Sequence, residues 1–322
     1  MELDYTYGVA RIRALEGALF SDDVITSLLQ CADYEGCLNF LRDKGWGNGS
    51  FEQTFEEMIY QEKSRTGQII NELAGDDKEI EILTISDEFH NLKAAIKQVC
   101  TGSEKNNIFY SGCKYSPEFL KDCIRQGKYS SLPENMRTAA KEAAEALIRT
   151  GSGQLCDIII DREALLRIKE KGDSSQIPII RKYADTVVTV ADIKIAVRCA
   201  LTNKDSDFVK KCVVPCSGIS ITELTAAVDG GMENVCGYLE NTGFSDAVRA
   251  LKKSMSVFEC WCDNKIIQDI KPEKYNSFSI GPIVAYAIAK DIEIKTVKII
   301  LSCKLNGFDN EFIKERVRVM YA

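Results

Sequence analysis

Asn91-Leu92-Lys93-Ala94-Ala95-Ile96-Lys97, Asp192-Ile193-Lys194-Ile195-Ala196-Val197-Arg198 and Glu293-Ile294-Lys295-Thr296-Val297-Lys298 are three versions of one segment. Leu92, Ile193 and Ile294 follow one another at 101 positions. Such recurrence means that the chain is assembled from similar units. In the first copy Leu92, Ala95, Ile96, Val99 and Cys100 fall at i, i+3, i+4, i+7 and i+8. In the second, Ile193, Ala196, Val197, Ala200 and Leu201 repeat that spacing, and Ile294, Val297 and Leu301 keep most of it. These positions share one side of a helix, so the spacing predicts three helices that bury that side. Leu92, Ile193 and Ile294 are expected at equivalent buried positions.

A second element follows each copy. It reads Ser116-Pro117-Glu118-Phe119-Leu120, then Ser220-Ile221-Thr222-Glu223-Leu224, then Asp309-Asn310-Glu311-Phe312-Ile313. Each opens on an N-cap residue whose oxygen can accept from a free backbone N–H. Ser220 and Glu223 have capping-box spacing, and Pro117 occupies the first helical position. Apolar residues recur at Ile124, Val228 and Val317. A short third element runs from Phe40-Leu41 to Gly45-Trp46 and from Tyr238-Leu239 to Gly243-Phe244, where the glycine suits a left-handed helix end. Ala10-Arg11-Ile12-Arg13 parallels Ala191-Asp192-Ile193-Lys194, and Ser21-Asp22-Asp23 supplies a cap. The N-terminus therefore reads as a fourth, partial copy at a shorter spacing.

The chain has 322 residues, 45% hydrophobic and 28% charged, with six prolines. This composition is globular, and the scarcity of proline suits long helices. No apolar run approaches the roughly 20 residues of a membrane span. Met1-Glu2-Leu3-Asp4 lacks the basic and apolar character of a signal peptide, so the chain reads as cytosolic, free to dock on a membrane complex. A net charge of −7 without a basic stripe argues against nucleic acid. Thirteen cysteines in such a chain read as reduced thiols, many on helical apolar faces, among them Cys100, Cys199 and Cys303.

No constellation carries catalytic chemistry. The single histidine, His90, reads as a surface residue at a helix start. Cys260-Trp261-Cys262 and Cys212 with Cys216 fall short of a four-ligand zinc site, and Cys260 and Cys262 face different sides of a helix. Gly151-Ser152-Gly153 lacks the Gly-Lys-Ser/Thr of a phosphate loop and the strand of a dinucleotide fingerprint. It reads as a helix stop. Asn48-Gly49-Ser50 reads as a loop. Asp22-Asp23 and Asp76-Asp77 sit at helix starts and turns, where the helix dipole favours carboxylates.

These features divide the chain into residues 1–46 (a partial helical unit), 47–131, 132–244 and 245–322. A charged helix is expected from Phe51 to about Leu73, stopped by Ala74-Gly75-Asp76-Asp77. A polar helix spans Arg137 to Arg149 behind Pro133-Glu134. Another spans Asp161 to Lys171, broken by Gly172-Asp173-Ser174-Ser175. Gly281-Pro282 opens a helix through Lys290. Ile158-Ile159-Ile160 and Asp185-Thr186-Val187-Val188-Thr189-Val190 are the only strand-like runs. The fold class is all-α, with isolated extended pieces at most.

Three C-terminal stretches carry a resemblance. They are Ser279-Ile280-Gly281-Pro282-Ile283-Val284-Ala285-Tyr286-Ala287-Ile288-Ala289-Lys290, then Glu293-Ile294-Lys295, then Ile299-Ile300-Leu301-Ser302-Cys303-Lys304-Leu305-Asn306-Gly307. Together they resemble the signature of the C subunit of V-type (archaeal-type) ATP synthases, the family that includes the d subunit of the eukaryotic vacuolar proton pump. Tyr7-Gly8-Val9-Ala10-Arg11-Ile12-Arg13-Ala14-Leu15-Glu16 looks like the family's N-terminus, and Glu311 to Tyr321 like its closing helix. Residues 130–180 match only in general character.

The resemblance implies an all-α, funnel-shaped, pseudo-threefold array of three similar helical units. It implies a rotor protein on the cytoplasmic face of the membrane ring that receives the central stalk and transmits torque for ATP-coupled proton or sodium transport. The partners implied are central-stalk and rotor-ring subunits, with no direct membrane span. No catalytic residue, cofactor or metal comes with the family. Arg13, Lys93, Lys194 and Lys295 recur at equivalent places and are candidate partner contacts, the alternative being a solvated helix face. A generic α-helical repeat adaptor would share the periodicities but not the C-terminal signature.

Overall fold

A computed structural model describes residues 5–75, 77–103 and 108–322. Met1–Asp4 and Asp76, read above as an acidic start and part of a helix stop, lie outside them. In chain order the α-helices are α1 (Thr6–Glu16), α2 (Asp22–Leu29), α3 (Tyr34–Asp43), α4 (Phe55–Ala74), α5 (Ile85–Thr101), α6 (Pro117–Arg125), α7 (Glu134–Thr150) and α8 (Gly153–Ser174). They continue with α9 (Pro178–Leu201), α10 (Ser206–Lys210), α11 (Ile221–Asp229), α12 (Met232–Asn241), α13 (Ser245–Lys253), α14 (Met255–Ile270), α15 (Gly281–Leu305) and α16 (Asn310–Lys314). The fold is all-α, with no strand among the described residues.

Two compact units emerge. One joins Met1–Ile80 to Phe244–Ala322, and the other is Glu81–Gly243. They are coarser than the four segments read from the repeats, and the boundary at Ile80 falls inside the second of those segments.

In the continuous unit α8 packs against α5, α7 and α9, while α10, α11 and α12 lie on α9. The apolar stripes explain this. Leu92, Ala95 and Ile96 on α5, and Ile193, Ala196 and Val197 on α9, are fully buried. Each large aliphatic side chain so placed contributes about 1.5–3 kcal/mol. In the discontinuous unit α15 is the centre, touching α1, α3, α4, α14 and α16. Residues 281–290 are buried on every side, as a helix apolar all round must be. Ile294, Val297 and Leu301 continue that core. Leu92, Ile193 and Ile294 thus have the same burial.

Several local expectations need correction. Ile158–Ile160 and Asp185–Val190 are helical, inside α8 and α9. β-branched residues lower helix propensity only slightly, and burial of Ile160, Val188 and Val190 outweighs that preference. Gly172 does not break α8, which runs to Ser174. A Cβ on Gly172 would stand 2.3 Å from the Ala184 Cβ, so the glycine lets α8 and α9 approach. The chain turns at Ser175, whose hydroxyl accepts from Ile177 N–H, and Pro178 opens α9. Helix α4 begins at Phe55, not Phe51, because Thr54 and Glu57 form a full capping box there. At Ser220 only half the expected box forms: its hydroxyl accepts from Glu223 N–H, but its own N–H donates to the Tyr238 hydroxyl.

The closing helix is likewise shorter than Glu311 to Tyr321. It stops at Lys314, and Val317 is only half-buried. Beyond it side chains take over the backbone: Val319 N–H donates to Asn264 Oδ1 and Met320 N–H to Asp22 Oδ1. Leu201, read as buried, is 52% exposed because it ends α9. Val99 and Cys100 near the end of α5 are half-buried. Gly151 is the helix stop expected of it, left-handed at φ 65°, and Ser152 caps α8. Gly45 and Gly243 are also left-handed.

The Gly172 contact sets a test. Gly172→Ala should lower stability by about 1–3 kcal/mol in urea unfolding, because the new methyl overpacks the α8–α9 crossing. Adding Ala184→Gly should recover part of the loss.

Candidate interaction surfaces and the polar locks behind them

The residue before each repeat's first apolar position is buried as well as polar. Asn91 is 1% exposed, Asp192 0% and Glu293 1%. A buried polar group is costly without a partner. Each has one, from a backbone that is not its own helix. Asn91 Oδ1 accepts from Tyr110 N–H at 2.7 Å, and Asn91 Nδ2 donates to Tyr110 O at 2.9 Å. Asp192 accepts from Val214 N–H at 3.1 and 3.3 Å. Glu293 Oε2 accepts from Phe20 N–H at 2.7 Å. In the partial N-terminal copy Ile12 is buried, but Arg11 before it is exposed and pairs with Glu72 at 3.4 Å. That copy shares the apolar position and not the lock.

The three locks differ electrically. Asn91 is neutral. Burial pushes the Asp192 carboxyl up to about 7, against the opposing pull of the Val214 N–H and the Arg162 charge. Glu293 sits in a charged cluster instead. Lys290 Nζ lies 2.6 Å from Glu293 Oε1 and 3.0 Å from Glu62 Oε2. Arg65 reaches Glu62 Oε1 at 3.1 Å, and Lys290 stands 4.8 Å over the Trp46 ring. Burial disfavours the ammonium, but Glu293 and Glu62 outweigh it and hold Lys290 above its ordinary range.

The four candidate cations occupy varied settings. Arg13 pairs with Glu16 and donates to Glu273 O at 2.7 Å and Asn276 O at 2.6 Å, so it ties α1 to the turn before α15. Lys93 pairs with Asp161 at 2.6 Å. Lys295 pairs with the buried Asp263, which Arg318 also binds at 2.8 Å. Burial opposes the Asp263 charge, yet the two cations keep that carboxyl below the usual range. Lys194 is half-buried and has no ion pair among the described residues. The four do not share one environment.

The second element has a member at Asp205 that the sequence reading missed, taking the Ser220 element in its place. Ser116-Pro117-Glu118-Phe119-Leu120, Asp205-Ser206-Asp207-Phe208-Val209 and Asp309-Asn310-Glu311-Phe312-Ile313 each start a helix in one way. In each the cap oxygen accepts from the phenylalanine N–H, at 3.2, 2.8 and 2.8 Å. The next residue, Leu120, Val209 or Ile313, is buried. The acid before the ring is exposed in all three. Phe119 stacks on Tyr115; Lys204 stands 5.2 Å over Phe208; Phe312 stacks on Phe308, and Arg316 lies over the Phe312 ring at 3.4 Å. Asp205-x-Asp207-Phe208 is a closer match to the other two corners than the Ser220 element. The signal was present: a cap, an acid, phenylalanine and an aliphatic residue.

Other residues prove structural. His90 is half-buried inside α5 rather than at its start; its Nε2 contacts Ile108 O at 2.9 Å and its ring stacks on Tyr110. Cys260 donates to Glu315 O, and Cys262 is buried too. No group that could hold a metal occurs among the described residues. None of their helices is long and apolar enough to cross a membrane.

Two substitutions test the locks. In the folded chain Asp192 keeps its proton to about pH 7, while an unfolded carboxyl loses it near 4. The linked stabilisation is therefore full below about pH 4 and is lost as pH rises through about 7. Asp192→Asn should flatten the melting temperature against pH between about 4 and 7 and melt above the parent at pH 8. Lys290→Met should cost about 3–5 kcal/mol at neutral pH by leaving the buried Glu293 without a cation and Glu62 with Arg65 alone. Burial raises the Glu293 carboxyl, so chemical unfolding should show that loss shrinking as the pH falls and Glu293 protonates.

Comparison with known proteins adds the last observation. Residues 8–316 match the family described as ATP synthase (C/AC39) subunit. The C subunit of the V-type sodium ATPase of Enterococcus hirae is 24% identical, over 96% of this chain and 97% of the relative. The C subunit of the A-type ATP synthase of Methanothermobacter thermautotrophicus is 21% identical, over 97% and 87%. That of Methanocaldococcus jannaschii is 20% identical, over 96% and 85%.

Proposed function

Because the chain belongs to the ATP synthase (C/AC39) subunit family, we propose that it is the non-catalytic rotor subunit of a V/A-type rotary ATPase, a socket that links the central stalk to the ion-carrying membrane ring. The match over residues 8–316 carries this reading. A generic helical adaptor would share the repeats without that match. The protein sits peripherally on the cytoplasmic face, bound to the ring by contacts outside the bilayer. Its repeat units are the segments 1–46, 47–131, 132–244 and 245–322, of which 47–131 straddles the boundary at Ile80, and its repeats form a pseudo-threefold funnel. The funnel interior takes the stalk and its narrow end takes the ring.

A socket needs two gripping surfaces, and wet interfaces of this kind depend on a few central contacts more than on area. Of the four basic positions, Lys194 is the partner contact we favour, because Arg13, Lys93 and Lys295 are held by acids of their own unit. Transported ion identity, proton or sodium, belongs to the ring protein in this scheme.

The test uses membranes lacking this protein. ATP-driven ion pumping should vanish, while hydrolysis by the detached headpiece persists. Restoring the intact chain should restore pumping. Normal pumping without it would overturn the socket assignment.

A further inference from the structure

The corner between α2 and α3 holds two thiols that the family reading does not use. Cys31 is half-buried and Cys37 fully buried, and five residues separate them. Both sulfurs reach the same helical turn. Cys31 Sγ donates to Ser27 O at 3.7 Å, and Cys37 Sγ donates to Leu28 O at 3.5 Å. Neighbouring carbonyls of one turn lie side by side, so the two sulfurs meet there. The backbones approach as well: a Cβ on Gly36, beside Cys37, would stand 3.6 Å from the Cys31 Cβ. Asp33 fixes the turn by accepting from Gly36 N–H at 2.8 Å.

We propose that Cys31 and Cys37 are a reversible thiol–disulfide couple, oxidised by hydroperoxides. The more exposed Cys31 reacts first. Its thiolate sulfur attacks one peroxide oxygen, the O–O bond breaks, and an alcohol or water leaves with a proton. Cys31 is then a sulfenic acid. The Cys37 sulfur attacks the Cys31 sulfur, the S–O bond breaks, and the departing hydroxide takes the Cys37 proton as water. Two electrons pass from the two thiols to the peroxide, and a dithiol reductant reverses the change.

The order of attack follows from the setting. Burial, and then the neighbouring Cys31, push the Cys37 thiol up to about 12, so it stays protonated and waits for an activated partner. The corner also adjoins a repeated surface element. Lys304 Nζ donates to Cys31 O at 2.5 Å and to Asn310 Oδ1 at 2.9 Å, and α16 packs on α2. Oxidation therefore stiffens the seat of the Phe312 corner.

The experiment oxidises the full chain with about one equivalent of hydrogen peroxide per Cys31–Cys37 pair, the stoichiometry of a two-electron step. Free thiols are then alkylated in denaturant and the digest is read without reductant. The peptide containing Cys31 and Cys37 should be lighter by two hydrogens and carry no alkyl group. Dithiothreitol before alkylation should restore two alkyl groups. Cys31→Ser should abolish the mass loss and leave Cys37 alkylated. Alkylation of both cysteines after peroxide would overturn the proposal, and so would preferential disulfide formation at any other pair. The readout does not involve ion pumping, so its failure and that of the socket assignment are distinguishable.

Discussion

A buried polar atom must find its partner, and in this protein that requirement fixes how each repeat helix meets the chain beside it. Asn91, Asp192 and Glu293 stand one residue before the core aliphatics Leu92, Ile193 and Ile294. Each reaches sideways to a backbone N–H in a segment without regular helical bonding at that point. Apolar burial supplies most of the stability but tolerates sliding. A hydrogen bond from Tyr110, Val214 or Phe20 does not, because a shift of one residue would strand both the donor and the acceptor. The lock therefore sets register where the apolar stripe cannot.

The third lock carries the greatest load. Glu293 serves the Phe20 N–H with one oxygen and Lys290 with the other. Lys290 in turn meets Glu62 on α4 and the face of Trp46. Three chain segments, around Phe20, Trp46 and Glu62, converge there on a single turn of α15. An isolated charge could not be buried at such depth; the compensation comes from several partners at once. The Asp263–Lys295–Arg318 cluster does a similar job at the C-terminal tail, where it replaces helix with side-chain anchorage.

Much of the fold is legible in the sequence because helical periodicity marks buried faces directly. The stripes through Leu92, Ile193 and Ile294, the caps at Ser21, Ser116 and Asp309, and the stop at Gly151 all follow from local rules. The locks are not legible in that way. Asn91, Asp192 and Glu293 lie within the repeated segments, yet a polar residue on a helix normally faces water. Only donors 19, 22 and 273 positions away reveal them. Gly172 misleads for a related reason, since a glycine that ends a helix and one that admits a neighbour look alike in sequence. The Asp205 corner is hidden by the nearby Ser220 cap, which satisfies the same local rule. The candidate contacts fare worst, because whether a lysine is free depends on acids elsewhere, such as Asp161 and Asp263.

The discontinuous unit has a consequence for synthesis on the ribosome. Glu81–Gly243 is one stretch of chain and can fold as soon as it emerges. The helices before it cannot finish, since the helix they surround begins only at Gly281. Throughout translation of the middle of the protein, the apolar faces around Ile12, Leu41 and Met58, on α1, α3 and α4, lack their central partner. The nascent chain therefore spends that interval with an open, sticky N-terminal segment, the interval in which a chaperone has most to protect.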